Sequence, residues 1–162
     1  MPGCDGVALR QFFATPAGNA DEDALRSQYQ AYAQALLTFA CGQSADLGAW
    51  SDPLAGQWNS QAGYFNFDAG QFAWYLATNN LANNYYKGSY LWLPGCQANG
   101  AYTVTASPPC YSVVMRYSDS MTFGSQADDV FYGVFTVDQT DRNTARVTNQ
   151  RSGGQFGLDR VG

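Results

Sequence analysis

The hydrophobic pattern of this chain changes its period near residue 88, and this change limits the possible folds more than any other feature. Before that point, the clearest segment has apolar residues three and four positions apart, as on one face of an α-helix. After it, apolar and polar residues alternate with a period of two, as in β-strands. The pattern therefore predicts an α+β domain, in which N-terminal helices pack on an antiparallel β-sheet formed by the C-terminal half.

The first predicted helix starts after Asn19 or Asp21, either of which can cap it, and ends near Gly42. The acidic run Asp21-Glu22-Asp23 lies at the positive end of its dipole. One apolar stripe runs along this helix, formed by Leu25, Tyr29, Tyr32, Leu36 and Phe39.

A second helix is predicted for residues 68–86, where apolar residues fall on two faces, so that it would lie between two layers. The connecting residues 43–67 are predicted to be a long loop. Their many aromatic residues indicate that the loop either packs against the rest of the domain or has a function. The whole chain is predicted to be one domain of 1–162, with an irregular arm over 1–19, a helical and aromatic-loop part over 20–86, an antiparallel sheet over 88–150 and a flexible tail over 151–162.

The alternating segments of the second half are the candidate strands. One of them, Asp129–Val137, is apolar on both faces, which predicts a central strand. The full set is Ser89–Leu93, Ala101–Ser107, Tyr111–Tyr117, Asp129–Val137 and Thr144–Asn149.

The chain has four cysteines, an even number that is typical of a protein folded in an oxidising compartment. We favour the pairs Cys4–Cys41 and Cys96–Cys110. The first would join the N-terminal arm to the end of the first helix, and the second would close a short segment around a hairpin. Four reduced, buried thiols are the alternative. No Cys-x-x-Cys motif is present, so the sequence does not indicate a zinc or redox site.

The charges exclude several classes of partner. Net charge is −5, Lys87 is the only lysine, and the arginines are scattered, so the basic stripe that binds nucleic acid is missing. The apolar runs are far shorter than the roughly 20 residues of a transmembrane helix, and no basic amphipathic face is present for an anionic membrane. The N-terminus, Met1-Pro2-Gly3-Cys4-Asp5, lacks the features of a signal peptide.

Chemistry is limited by the absence of histidine, the commonest general base and a frequent metal ligand. An aspartate-based glycosidase could use Asp128-Asp129 with Asp138 and Asp141, but aspartate beside Thr, Ser and Asn more often caps turns. We therefore predict no enzyme and no cofactor. Calcium bound by Asp138 and Asp141 is the alternative, although no EF-hand spacing is present.

Two segments of the C-terminal half resemble the globular head of type IV pilins and pilin-like proteins. They are Ala101–Ala106, which spells Ala-Tyr-Thr-Val-Thr-Ala, and Phe135–Thr140, which spells Phe-Thr-Val-Asp-Gln-Thr. The resemblance implies a long helix followed by an antiparallel sheet, and a filament subunit. The chain departs from the family pattern at Tyr132-Gly133, where Cys-Gly is usual, at Asp141, where Gly is usual, and in lacking the apolar N-terminal segment.

We therefore expect a non-enzymatic structural subunit of an extracellular or cell-surface assembly, with a pilin-like filament subunit favoured. A phage or virion structural protein and a secreted carbohydrate-binding module are the alternatives. Expected partners are other copies or other subunits of the assembly, with carbohydrate as the alternative ligand. The aromatic residues predicted to form the interaction surface are Trp50, Trp58, Tyr85, Tyr86, Tyr90 and Trp92. Trp74 is a further candidate for sugar contact.

Overall fold

The computed structural model describes residues 3–43, 52–76, 82–98, 101–103, 105–106, 109–127 and 129–161. Two described helices precede the strands, α1 (Val7–Phe12) and α2 (Ala20–Gln43). The strands are β1 (Gly56–Ser60), β2 (Gly63–Asp68), β3 (Gln71–Tyr75), β4 (Tyr85–Pro94), β5 (Cys96–Ala98), β6 (Ala101–Thr103), β7 (Thr105–Ala106), β8 (Pro109–Thr122), β9 (Ser125–Ala127), β10 (Phe131–Asp141), β11 (Thr144–Asn149) and β12 (Gln155–Arg160).

Eight of these strands form a closed antiparallel barrel, so the predicted α+β fold of helices on a C-terminal sheet is wrong. The strand order around the barrel is β1, β2, β3, β4, β8, β10, β11 and β12, and each strand pairs with the next. Pairing of Trp58 with Arg160 joins β12 back to β1 and closes the ring. The short strands β7 and β9 pair with the two ends of β8, and β5 pairs with β6 in a separate two-stranded sheet.

The predicted helix over 68–86 is also wrong, because β3 and the start of β4 lie there. Ala69 and Gly70 have φ angles of 50° and 84° and form the two-residue turn between β2 and β3. Positive φ at both central residues suits a hairpin because it follows the twist of the strands. Beyond the turn, Phe72 and Trp74 alternate with Ala73 and pack into the barrel core.

Two further segments are strands rather than irregular chain. The predicted loop over 43–67 contains β1 and most of β2, and the predicted flexible tail contains β12, which pairs with both β11 and β1. In the N-terminal arm, residues 7–12 form helix α1.

Other predicted elements match the structure more closely. Asn19 caps α2, since its side-chain oxygen accepts a 2.9 Å hydrogen bond from the Glu22 backbone N–H. Gly42 lies within the helix rather than after it. The predicted strand Thr144–Asn149 coincides with β11, and Tyr111–Tyr117 lies inside the longer β8. The predicted strand Ala101–Ser107 is described only as β6 and β7.

The helices cover one outer wall of the barrel, so β10 has apolar side chains on both faces. Its Phe135 and Val137 belong to the barrel interior, whereas Tyr132 and Val134 pack outward against the helices. This second, outer core is made by Leu9, Phe12, Phe13, Tyr29, Ala33, Leu36 and Leu37 from the helical part, and by Leu93, Val114, Tyr132 and Val134 from the strands. The two-sided burial of β10 explains its continuous apolar sequence.

Two disulfide bonds are present, Cys4–Cys41 and Cys96–Cys110, which are the pairs favoured from the sequence. The first ties the chain before α1 to the last turns of α2. The second links β5 to β8. Such bonds persist in oxidising environments and are typical of extracellular proteins.

Candidate functional site

One end of the barrel, called here the sealed end, is closed by the segment before β1. Leu54 inserts its buried side chain into the interior core. Its carbonyl accepts a 2.9 Å hydrogen bond from the indole N–H of Trp58. The guanidinium of Arg160 donates to the carbonyls of Ala55 at 2.7 Å and Pro53 at 3.1 Å, and lies 4.1 Å from the Trp58 ring centroid. These contacts hold the segment across the barrel opening.

The interior above the sealed end is filled by side chains. It leaves a cavity of about 30 Å³ between Leu54, Phe67, Val137 and Leu158, with entirely apolar lining. A space of this size is comparable to the volume of one water molecule, which would find no polar partner there. The middle of the barrel therefore has no room for a ligand.

The opposite end carries a larger cavity, the end pocket, of about 220 Å³. Barrel strands and α2 both contribute to it, together with the turn between β11 and β12. It is lined by Glu22, Tyr29, Trp74, Tyr86, Tyr117, Phe131, Tyr132, Gly133, Phe135, Asn149 and Arg151. Most of these side chains are aromatic and a few are polar, which is the usual composition of a small-molecule site.

The strand arrangement leaves this space open. Pairing of β10 with β11 starts where Phe135 lies opposite Asn149. Within the described residues, the part of β10 before Phe135 therefore has no paired residue in β11. At Gly133 a Cβ atom would lie 3.0 Å from the Phe135 ring and 3.4 Å from the Tyr117 ring. The missing side chain at Gly133 therefore keeps the pocket from being filled.

Aromatic rings in mutual contact form one wall of the end pocket. Trp74 and Tyr86 are cross-strand partners on β3 and β4, and their ring centroids are 5.2 Å apart. Tyr86 in turn meets Tyr117 edge to face at 5.5 Å. The indole N–H of Trp74 donates a 2.7 Å hydrogen bond to the Ala62 carbonyl, which fixes the plane of the ring. This wall is a rigid apolar surface.

Polar groups from α2 and the β11–β12 turn form the facing wall. Glu22 is only 6% exposed, and its Oε1 accepts a 2.6 Å hydrogen bond from Nη1 of Arg151. This bond, together with the negative charge of Glu22, raises the pKa of Arg151. Within the described residues, the Glu22 Oε2 atom and the Tyr29 hydroxyl are buried without a hydrogen-bond partner. Burial is the main cause that raises the pKa of Tyr29, opposed by the charge of Arg151.

The described residues among those predicted as an interaction surface lie in different parts of the barrel. Trp58, Tyr90 and Trp92 are buried in the barrel core, and Trp50 lies outside the described residues. Tyr86 lines the end pocket. Half-buried Tyr85 donates to the Asp119 carboxylate at 3.4 Å and lies beneath Lys87, whose Nζ is 4.5 Å from the Tyr85 ring centroid.

The polar wall was not predicted from the sequence. The sequence pattern places Glu22 in the charged first turn of the helix and Tyr29 in its apolar stripe. It predicts that Arg151 lies in a flexible tail. The one available signal was that Glu22 is the only glutamate of a chain poor in charged residues.

The aspartates proposed for calcium have other surroundings. Asp141 caps the turn after β10, because its Oδ1 accepts a 2.7 Å hydrogen bond from the Asn143 backbone N–H. Asp138 pairs across the strands with Arg146. Within the described residues, the one cluster of three potential metal ligands combines Asp138 with the two cysteines of a disulfide, and disulfide sulfurs are not the thiolates that bind metals. Calcium binding stays a prediction.

Comparison with known proteins finds no matching family model, no significantly similar curated protein and no significantly similar solved structure. The pilin resemblance therefore stays a prediction, and the barrel differs from the helix-and-sheet fold that it implied. Neither of the described helices has an apolar stretch of the length needed to cross a membrane.

Proposed function

We propose that this chain is an extracellular binding module that holds one small, ring-shaped molecule in the end pocket. The observation that carries the proposal is a cavity of about 220 Å³ at one end of a barrel that is otherwise filled and sealed. An eight-stranded barrel encloses just enough space to be packed solid or to hold one small ligand. A cavity of roughly 150 Å³ accepts benzene, so the end pocket suits a single substituted ring.

The filament-subunit hypothesis has less specific support. Subunit interfaces usually present an apolar patch. Among the described residues, the large hydrophobic side chains classed as exposed are Val7, Phe123 and Val161, which belong to three separate parts of the chain. Assembly through other subunits and a place on a cell surface or virion remain predictions from composition.

The proposal can be tested by NMR titration of the isotopically labelled protein. The probes are phenol, tetrahydropyran and methyl β-D-glucopyranoside, each at millimolar concentration. At least one should shift the Trp74 indole N–H signal and the Gly133 amide signal, since both groups belong to residues of the pocket. A Gly133→Ala variant should weaken that binding about tenfold, because the added methyl group occupies pocket space.

Gly157→Ala is the matched control, because it also adds a methyl group to a strand glycine. The nearest atom to a Cβ at Gly157 is the Ala145 carbonyl oxygen at 3.9 Å, so the methyl group has room. Binding by this variant should equal that of the unmodified protein. The proposal fails if no probe shifts the two reporter signals, or if both alanine variants bind alike.

A further inference from the structure

Two residues that line the end pocket each carry a buried oxygen that makes no hydrogen bond within the described residues. They are Oε2 of Glu22 and the hydroxyl oxygen of Tyr29, and their residues are 6% and 8% exposed. A buried polar atom without a hydrogen bond destabilises a fold by about 1–3 kcal/mol, so folded proteins keep few of them. Two such atoms on the same pocket wall indicate groups that a ligand satisfies.

The chemistry of the two atoms restricts that ligand. A carboxylate oxygen such as Glu22 Oε2 can only accept a hydrogen bond, whereas the neutral Tyr29 hydroxyl has a proton to donate. A ligand hydroxyl can donate a hydrogen bond to Glu22 Oε2 and accept one from the Tyr29 hydroxyl. One ligand hydroxyl can make both bonds, or two neighbouring hydroxyls can make one each. An ammonium group satisfies only Glu22, and a carboxylate satisfies only Tyr29.

Charge also favours a neutral ligand. Arg151 lies 2.6 Å from the other carboxylate oxygen of Glu22, so the pair carries no net charge. A bound cation would meet the positive guanidinium beside the carboxylate. An aromatic cage binds a quaternary ammonium ion because the ring faces attract its positive charge. The positive charge of Arg151 opposes that attraction. The polar wall therefore offers hydrogen-bonding groups and no net charge.

We infer that the end pocket takes a polyhydroxylated ring, a monosaccharide or one sugar unit at a chain end, whose hydroxyl groups engage Glu22 Oε2 and the Tyr29 hydroxyl. The rings of Trp74 and Tyr86 contact the C–H face of that sugar. The inference rests on the proposed function, since it names the ligand class of the same pocket. Both oxygens are buried, so a sugar hydroxyl reaches them only if a neighbouring side chain moves. Arg151, which bonds Glu22, has a side chain that is 56% exposed.

The decisive variant is Tyr29→Phe. It removes a hydroxyl that makes no hydrogen bond in the part of the chain that the structure describes, so thermal stability should stay the same or rise. Affinity for a methyl hexopyranoside should fall about tenfold, the usual size of one lost ligand hydrogen bond. Tyr111→Phe is the matched control, because its hydroxyl also makes no hydrogen bond within the described residues and Tyr111 does not line the end pocket. This variant should keep both its stability and its sugar affinity.

Binding is measured by NMR titration with the methyl pyranosides of glucose, galactose and mannose. Tetrahydropyran, which is the same ring without hydroxyl groups, and tetramethylammonium are the comparison probes. The inference is supported if a glycoside binds in the pocket more tightly than tetrahydropyran and Tyr29→Phe removes that advantage.

The inference is overturned if tetrahydropyran shifts the pocket signals as strongly as every glycoside, or if Tyr29→Phe leaves glycoside affinity unchanged. If tetramethylammonium binds more tightly than every glycoside, the pocket is a site for a cation and not for a sugar. In these cases the proposed function survives, because the pocket still binds a small molecule. If no probe shifts the pocket signals, the proposed function fails as well.

Discussion

Replacing Cys4 and Cys41 by serine removes the disulfide that closes the longer of the two loops, with a sequence separation of 37. In the chain-entropy description, this cross-link restricts the unfolded chain and stabilises the fold by about 4 kcal/mol. The pair Cys96–Cys110 has a separation of 14, and the same relation assigns it about 3 kcal/mol. The double serine variant at Cys4 and Cys41 should therefore be the less stable of the two.

The assay is urea denaturation under non-reducing conditions, followed by tryptophan fluorescence and far-UV circular dichroism. Loss of Cys4–Cys41 should lower the midpoint temperature of a parallel thermal scan by about 8–16 °C, given the size of the chain. The slope of the urea transition should increase, because an unfolded chain without the cross-link exposes more surface. Equal losses in the two double variants, or a loss below about 1 kcal/mol for Cys4–Cys41, would refute the reasoning.

Three further predictions concern buried tyrosines. Tyr90→Phe should destabilise the fold by about 1.5–3 kcal/mol in chemical denaturation, because the Tyr90 hydroxyl donates to the Asp52 carboxylate at the sealed end. Tyr111→Phe should leave stability unchanged or slightly raised, since the Tyr111 hydroxyl is buried with no hydrogen-bond partner among the described residues, and a clear loss there would contradict this. Burial raises the pKa values of Tyr90, Tyr111 and Tyr117 above the ordinary tyrosine value of 10.0, so the unfolded chain loses these protons first. Stability should therefore be fully retained below about pH 10 and fall as the pH rises above it, and a flat profile of urea midpoints between about pH 9 and 11.5 would exclude this.

The parts of the fold that could be predicted are those with a strong local signal. The helix α2 has one continuous apolar stripe and a capping asparagine, and both are readable from neighbouring residues. The helix predicted for residues 68–86 is wrong because short strands, which begin and end within a few residues, can show the same spacing of apolar residues as a helix. The turn at Ala69-Gly70 added to the error, since alanine is rare at a position with positive φ and does not mark a hairpin.

The barrel itself and the end pocket depend on contacts that no local pattern contains. Closure requires Trp58 to pair with Arg160, and the pocket requires Glu22 to meet Arg151. Alternation predicts that a segment is a strand, but it does not predict which strand lies beside it. Tyr29 has the spacing of a core residue, and only its surroundings reveal a hydroxyl without a partner.

The pairing of β1 with β12 also has a consequence for how the chain can fold during synthesis. A chain made from its N-terminus can form α2 and the local Cys4–Cys41 bond early, because both need only nearby residues. The ring of strands cannot close until residues 155–160 have been made, and Arg151 reaches Glu22 at the same late stage. Until then β1 keeps a free edge that can pair with another chain. The end pocket therefore forms last, and a nascent chain shortened before β12 would be prone to aggregation.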